Sequence, residues 1–127
     1  MQTPPPSHDE PEFDDASIEA VLSLDPDGEL GLVKELVETF RHDAAAKLAG
    51  LRERIAAGDP AGVHALTHQL KSSAGSLGLA RVMRLSRIID EDSRRGGLEH
   101  AIALIDELDA GLASGLAWLE AKAGIGS

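Results

Sequence analysis

His64, His68 and Lys71 stand at steps of four and three in the stretch Ala61-Gly62-Val63-His64-Ala65-Leu66-Thr67-His68-Gln69-Leu70-Lys71-Ser72-Ser73-Ala74-Gly75-Ser76-Leu77-Gly78. At that spacing the three side chains lie on one side of a helix. Val63, Leu66, Leu70, Ala74 and Leu77 form its apolar stripe, and His68 falls nearly opposite. His68 is therefore expected to face solvent from the middle of the helix. Its neighbours on that face are small: Ala61, Ala65, Ser72 and Gly75, where a solvated face would ordinarily carry Glu, Lys or Gln. Glycine within a helix costs about 1 kcal/mol relative to Ala, and close approach of a partner is the natural compensation at Gly75.

An exposed imidazole is partly neutral near pH 7 and then offers one nucleophilic nitrogen. A phosphoryl group is a fitting electrophile, because its transfer needs mainly positioning and charge neutralisation. A phosphoimidazole adds about two negative charges, and Lys71 supplies a cation three residues away. As a surface residue, Lys71 is expected to tolerate Ala at a stability loss below about 0.5 kcal/mol. Two plainer readings stand beside this one. His68 can be an incidental histidine on a non-catalytic helical interaction module that binds an acidic partner. His64 and His68 also have the spacing of a zinc-binding pair. The Glu that a metalloprotease carries beside its first His is missing, and His42 and His100 lie elsewhere in the chain. No metal and no other cofactor is expected.

The elements that must hold this face are helical throughout. Residues 1–14 read as a disordered acidic, proline-rich tail with Pro4-Pro5-Pro6 and Pro11. A short helix starts at Asp15 or Ser17, and Asp25-Pro26-Asp27-Gly28 is a turn. Val33, Leu36, Val37, Phe40, Ala44, Leu48, Leu51 and Ile55 predict a long helix over 29–57. Asp59 is its successor's N-cap and Pro60 suits the first helical position; Gly78 stops the histidine helix. A fourth helix covers 79–94, Gly96-Gly97 breaks the chain, and the last covers 98–122. Short connections make neighbours antiparallel. The expected fold is an all-α, antiparallel up-down four-helix bundle with a short extra N-terminal helix, the domain spanning 15–124.

Composition narrows the function further. The 127 residues hold 22 acids and 12 bases, a net charge of −10. Nine of the acids, and no Lys or Arg, fall in residues 1–29. In residues 71–95 the balance reverses: Lys71, Arg81, Arg84, Arg87, Arg94 and Arg95 stand against Asp90, Glu91 and Asp92. That local excess is a docking surface for something acidic, with Arg84 and Arg87 at its rim. An acidic chain with three aromatic residues, Phe13, Phe40 and Trp118, is a poor nucleic-acid binder. Cysteine is absent, which excludes disulfides and thiolate chemistry. Neither a membrane span nor a secretory signal is read, so a cytoplasmic location is expected. There is no glycine-rich phosphate loop, so ATP is not a direct substrate and no autonomous kinase activity is expected.

The run His68-Gln69-Leu70-Lys71-Ser72-Ser73-Ala74-Gly75-Ser76-Leu77-Gly78 resembles the signature of the histidine-containing phosphotransfer (HPt) domains of bacterial phosphorelays, and the layout of helices is similar over residues 15–120. Ala57-Gly58-Asp59 before that helix and Leu79-Ala80-Arg81 after it also resemble the family. The resemblance implies that His68 takes a phosphoryl group from a receiver-domain aspartate and passes it to another. Lys71 would stabilise the phosphorylated form, and Ala61, His64, Ala65, Ser72, Gly75, Arg84 and Arg87 would form the docking surface. Implied partners are receiver domains of response regulators or of a hybrid histidine kinase, met by a monomer. Many members carry Gly immediately after the Lys; this chain has Ser72, which is also small.

Overall fold

A computed structural model describes residues 11–29 and 31–124. Among them are five α-helices and no strand: α1 (Asp15–Leu22), α2 (Leu32–Ala56), α3 (Pro60–Leu77), α4 (Ala80–Arg94) and α5 (Glu99–Ala123). Helices α2 and α3 touch, as do α3 and α4, α4 and α5, and α5 and α2, while α1 rests on α3 and α5. The core runs between them through Val37, Phe40 and Leu51, Val63 and Leu70, Val82 and Ile89, and Leu108 and Leu119. No helix among the described residues is long and apolar enough to cross a membrane.

Local chemistry sets the helix ends. The Asp59 carboxylate accepts from the Gly62 N–H at 3.0 Å and Pro60 follows at the first position, so α3 starts where its sequence says. Helix α2 begins at Leu32, later than the hydrophobic spacing alone predicts. The reason is the turn before it: buried Asp25 accepts from the Leu32 N–H at 3.2 Å. Helix α5 lacks a cap from its own flanking residue. Asp92 of α4 supplies it, accepting from the His100 N–H at 3.1 Å. That bond, and then the His100 ring, hold the Asp92 carboxyl below its usual range. Its contribution is therefore present above the ordinary carboxylate pKa and lost as pH falls through the lowered value.

The N-terminal boundary needs correction. Residues 11–14, expected within the tail, are packed onto the junction of α3 and α4, and residues 1–10 lie outside the described residues. The Asp14 N–H donates to the Gly78 carbonyl at 2.7 Å, and the Arg81 N–H donates to the Glu12 carbonyl at 3.1 Å. Phe13 stacks on Trp118 of α5, ring centroids 4.6 Å apart. Charge and proline content concealed one aromatic side chain with a stacking partner far along the chain.

Gly78 carries this junction. Its φ is +80°, and a Cβ built there would lie 2.2 Å from the Asp14 carbonyl oxygen. Gly78→Ala is expected to lower stability by at least about 1–3 kcal/mol, the usual cost of a left-handed non-glycine residue. Urea unfolding measures it, and an unchanged midpoint would exclude both the strain and the close approach.

Candidate functional site

Helix α3 divides its faces as its stripe requires. Val63, Thr67, Leu70, Ala74 and Leu77 are buried, and the His68 side chain is 65% exposed on the far side. Thr67 joins the buried stripe because its hydroxyl donates back to the Val63 carbonyl at 3.0 Å, leaving no unmet polar group. Leu66, assigned to the stripe by spacing, is only partly buried and lies against Gly50 of α2.

The fold adds a residue that the sequence reading missed. Asp90 of α4 is brought under the histidine face with its side chain 5% exposed. Its Oδ2 accepts from Lys71 Nζ at 3.2 Å. The same oxygen lies 4.0 Å from His68 Nδ1, too far for a hydrogen bond but near enough for charge attraction. Its Oδ1 lies 2.6 Å from His64 Nδ1. The two histidine rings are 5.9 Å apart and tilted by 37°. A signal for Asp90 was present in the sequence. Val82, Leu85, Ser86, Ile89 and Ser93 form the buried stripe of α4, and Asp90 is the acid inside it.

Lys71 is consequently not a free surface cation. Its side chain is 30% exposed and its ammonium is tied to a buried carboxylate. His68 Nδ1 faces that carboxylate, which leaves Nε2, across the ring, as the nitrogen available to a reactant.

His68, Lys71, Ser72, Gly75, Ser76, Met83 and Arg87 line one shallow groove between α3 and α4. Ala61 and Ala65 are exposed on the same helix, and His64 is half-buried. Gly75 is less open than its spacing implied: a Cβ there would sit 3.2 Å from Met83 Sδ. The two rim arginines part ways. Arg87 is exposed, lines the groove and has no ion pair among the described residues. Arg84 instead donates to the Pro11 carbonyl at 3.0 Å, because the N-terminal segment crosses α4 there. Among the described residues no three His, Asp or Glu side chains are grouped to hold a metal ion.

The family model described as the Hpt domain matches residues 35–118, from the first turn of α2 into α5. No curated protein matches the chain. Among solved structures, the crystal structure of histidine-containing phosphotransfer protein B (HptB) from Pseudomonas aeruginosa PAO1 is similar, with a TM-score of 0.80 and 23% identity. The match covers 90% of this chain and 96% of that one, and at this identity it speaks for a shared fold.

The ion pair revises what removing Lys71 does. Lys71→Ala strands a carboxylate that is 5% exposed, leaving it His64 as its close neighbour. A loss of about 1–2 kcal/mol is expected, less than the ~3–5 kcal/mol for breaking a fully buried pair. Denaturant midpoints for Lys71→Ala and the double variant Lys71→Ala/Asp90→Asn measure it. The double variant should recover part of the loss; equal midpoints for wild type and Lys71→Ala would show the pair to be energetically idle.

Proposed function

The chain belongs to the Hpt domain family, and from that premise we propose that it is a phosphorelay intermediate whose His68 carries the phosphoryl group between receiver-domain aspartates. The observation that carries the reading is His68 itself: exposed at mid-helix, opposite the core, with Lys71 beside it and a low groove in front. In the forward step the Nε2 lone pair attacks phosphorus of the aspartyl phosphate. The N–P bond forms as the P–O bond breaks, and that electron pair leaves on the receiver's carboxylate. The ring then keeps its Nδ1 proton, facing Asp90, or gives it to water. Donation to the next receiver runs the same exchange in reverse.

Lys71, held by Asp90 at 3.2 Å, neutralises charge on the phosphoryl oxygens from a fixed position. Ala61, His64, Ala65, Ser72 and Gly75 give the face low relief, and Arg87 supplies attraction for an acidic receiver pocket. The cyclic contacts of α2, α3, α4 and α5 support an antiparallel up-down bundle closed within one chain, hence a monomer. The place of action is the cytoplasm, where receiver domains and kinases meet.

Incubation with phosphorylated receiver domains, followed by mapping of acid-labile phosphate, tests the assignment. Phosphate is expected on His68 alone and absent from His68→Gln; phosphate on His64, or retained in His68→Gln, would overturn it.

Docking is tested separately. Gly75→Gln places a long side chain beside the groove, and Met83, flexible at its sulfur, can yield to it. The folded variant is expected to transfer at least about tenfold more slowly, equivalent to ~1.4 kcal/mol. Arg87→Glu should slow association and weaken its salt dependence. A folded Gly75→Gln protein transferring at the wild-type rate would move the docking surface elsewhere.

A further inference from the structure

The two oxygens of Asp90 serve different neighbours. Oδ2 takes the Lys71 ammonium and faces His68 Nδ1. Oδ1 is shut off from solvent and has no aligned hydrogen bond; His64 Nδ1, equally shut off, lies 2.6 Å away. A carboxylate's terminal torsion is broad and nearly two-fold, so the backbone of α4 does not decide which way it is turned. Lys71 cannot decide it either, being a compact charge on a flexible stem with three equivalent donors. The imidazole of His64 is rigid, packs its Nδ1 against Oδ1 at 2.6 Å and stands one helical turn before His68 on the same helix.

We propose that His64 is a positioning residue: by holding Asp90 Oδ1 it turns Oδ2 toward His68 and so keeps the His68 proton on Nδ1 and Nε2 free. The consequence for phosphotransfer rests on the reading of His68 as the nucleophile; the contact among His64, Asp90 and His68 does not. A neutral imidazole carries its proton on one nitrogen, and an anion beside Nδ1 favours the form with the proton there. At 4.0 Å this preference acts through charge attraction across the gap. Exposure, not this contact, separates the two histidines of the face: the His64 side chain is 34% exposed with its Nδ1 buried, against 65% for His68.

Nitrogen-15 NMR of the full chain, labelled at histidine, reads the His68 tautomer directly. The Nδ1–H form is expected to dominate in the wild type. In His64→Ala its share should fall at least about twofold, and phosphorylation of His68 by the small donor phosphoramidate should slow by a similar factor. In that reaction the donor's P–N bond breaks, ammonia leaves and the His68 N–P bond forms, so no docking is involved. His64→Asn, whose amide nitrogen stands about where Nδ1 stood, should restore both readouts. A wild-type His68 predominantly in the Nε2–H form overturns the proposal without any variant. So does a folded His64→Ala protein with wild-type tautomer and rate. A held tautomer with no phosphate accepted on wild-type His68 supports the positioning contact and overturns the functional reading instead.

Discussion

Asp90 is an acidic side chain packed into the seam between α3 and α4 with 5% of its surface exposed. A carboxylate in that position must be met by cations or donors, or its burial destabilises the fold by several kcal/mol. Helix α3 meets it with three groups at successive turns, His64, His68 and Lys71, at 2.6, 4.0 and 3.2 Å. Spacing of four and three along a helix puts all three on one line, and a single residue of the neighbouring helix lies under that line. The register of α3 against α4 and the electrostatics of the histidine face are therefore one constraint. A shift of either helix by a turn would strand a buried charge and unpair the site together.

The remaining contacts keep that seam in place. Gly78 turns the chain between α3 and α4 in a conformation that side chains disfavour, and residues 11–14 bind across the same turn. Trp118 anchors this segment through Phe13, while Lys122 pairs with Asp15 at 2.7 Å and Arg41 pairs with Glu120. The end of α5 is thereby joined to α1 and α2. The segment also takes Arg84 out of the groove by giving it the Pro11 carbonyl. Of the described side chains lining the groove, Lys71 is tied to Asp90 and Arg87 has no ion pair, so a feature read as a basic patch presents one held and one unpaired cation there.

The amino-acid sequence by itself determined the helices, the caps of α3 and the exposed histidine. These follow from periodicity of three to four residues, from Asp59, Pro60 and Gly78 at the ends of α3, and from the angle between His68 and its stripe. Each is a short-range property, decided within a turn or two of the chain. What lay beyond the sequence were pairings over long separations. Asp90 lies 22 residues from His68, and Phe13 lies over a hundred from Trp118. Asp90 read as an ordinary member of an Asp-Glu-Asp run, although its place in the stripe of α4 set it apart from Glu91 and Asp92. Only the packing of α4 on α3 removed its water, and with that loss an incidental acid became the partner of every charged or titratable side chain on the face. The same packing decided that Lys71 is held rather than free, that Arg84 meets the Pro11 carbonyl while Arg87 lines the groove, and that Gly75 lies beside Met83. Local spacing can say which way a side chain leaves its helix; which neighbour it then meets is settled by the helix packed across from it.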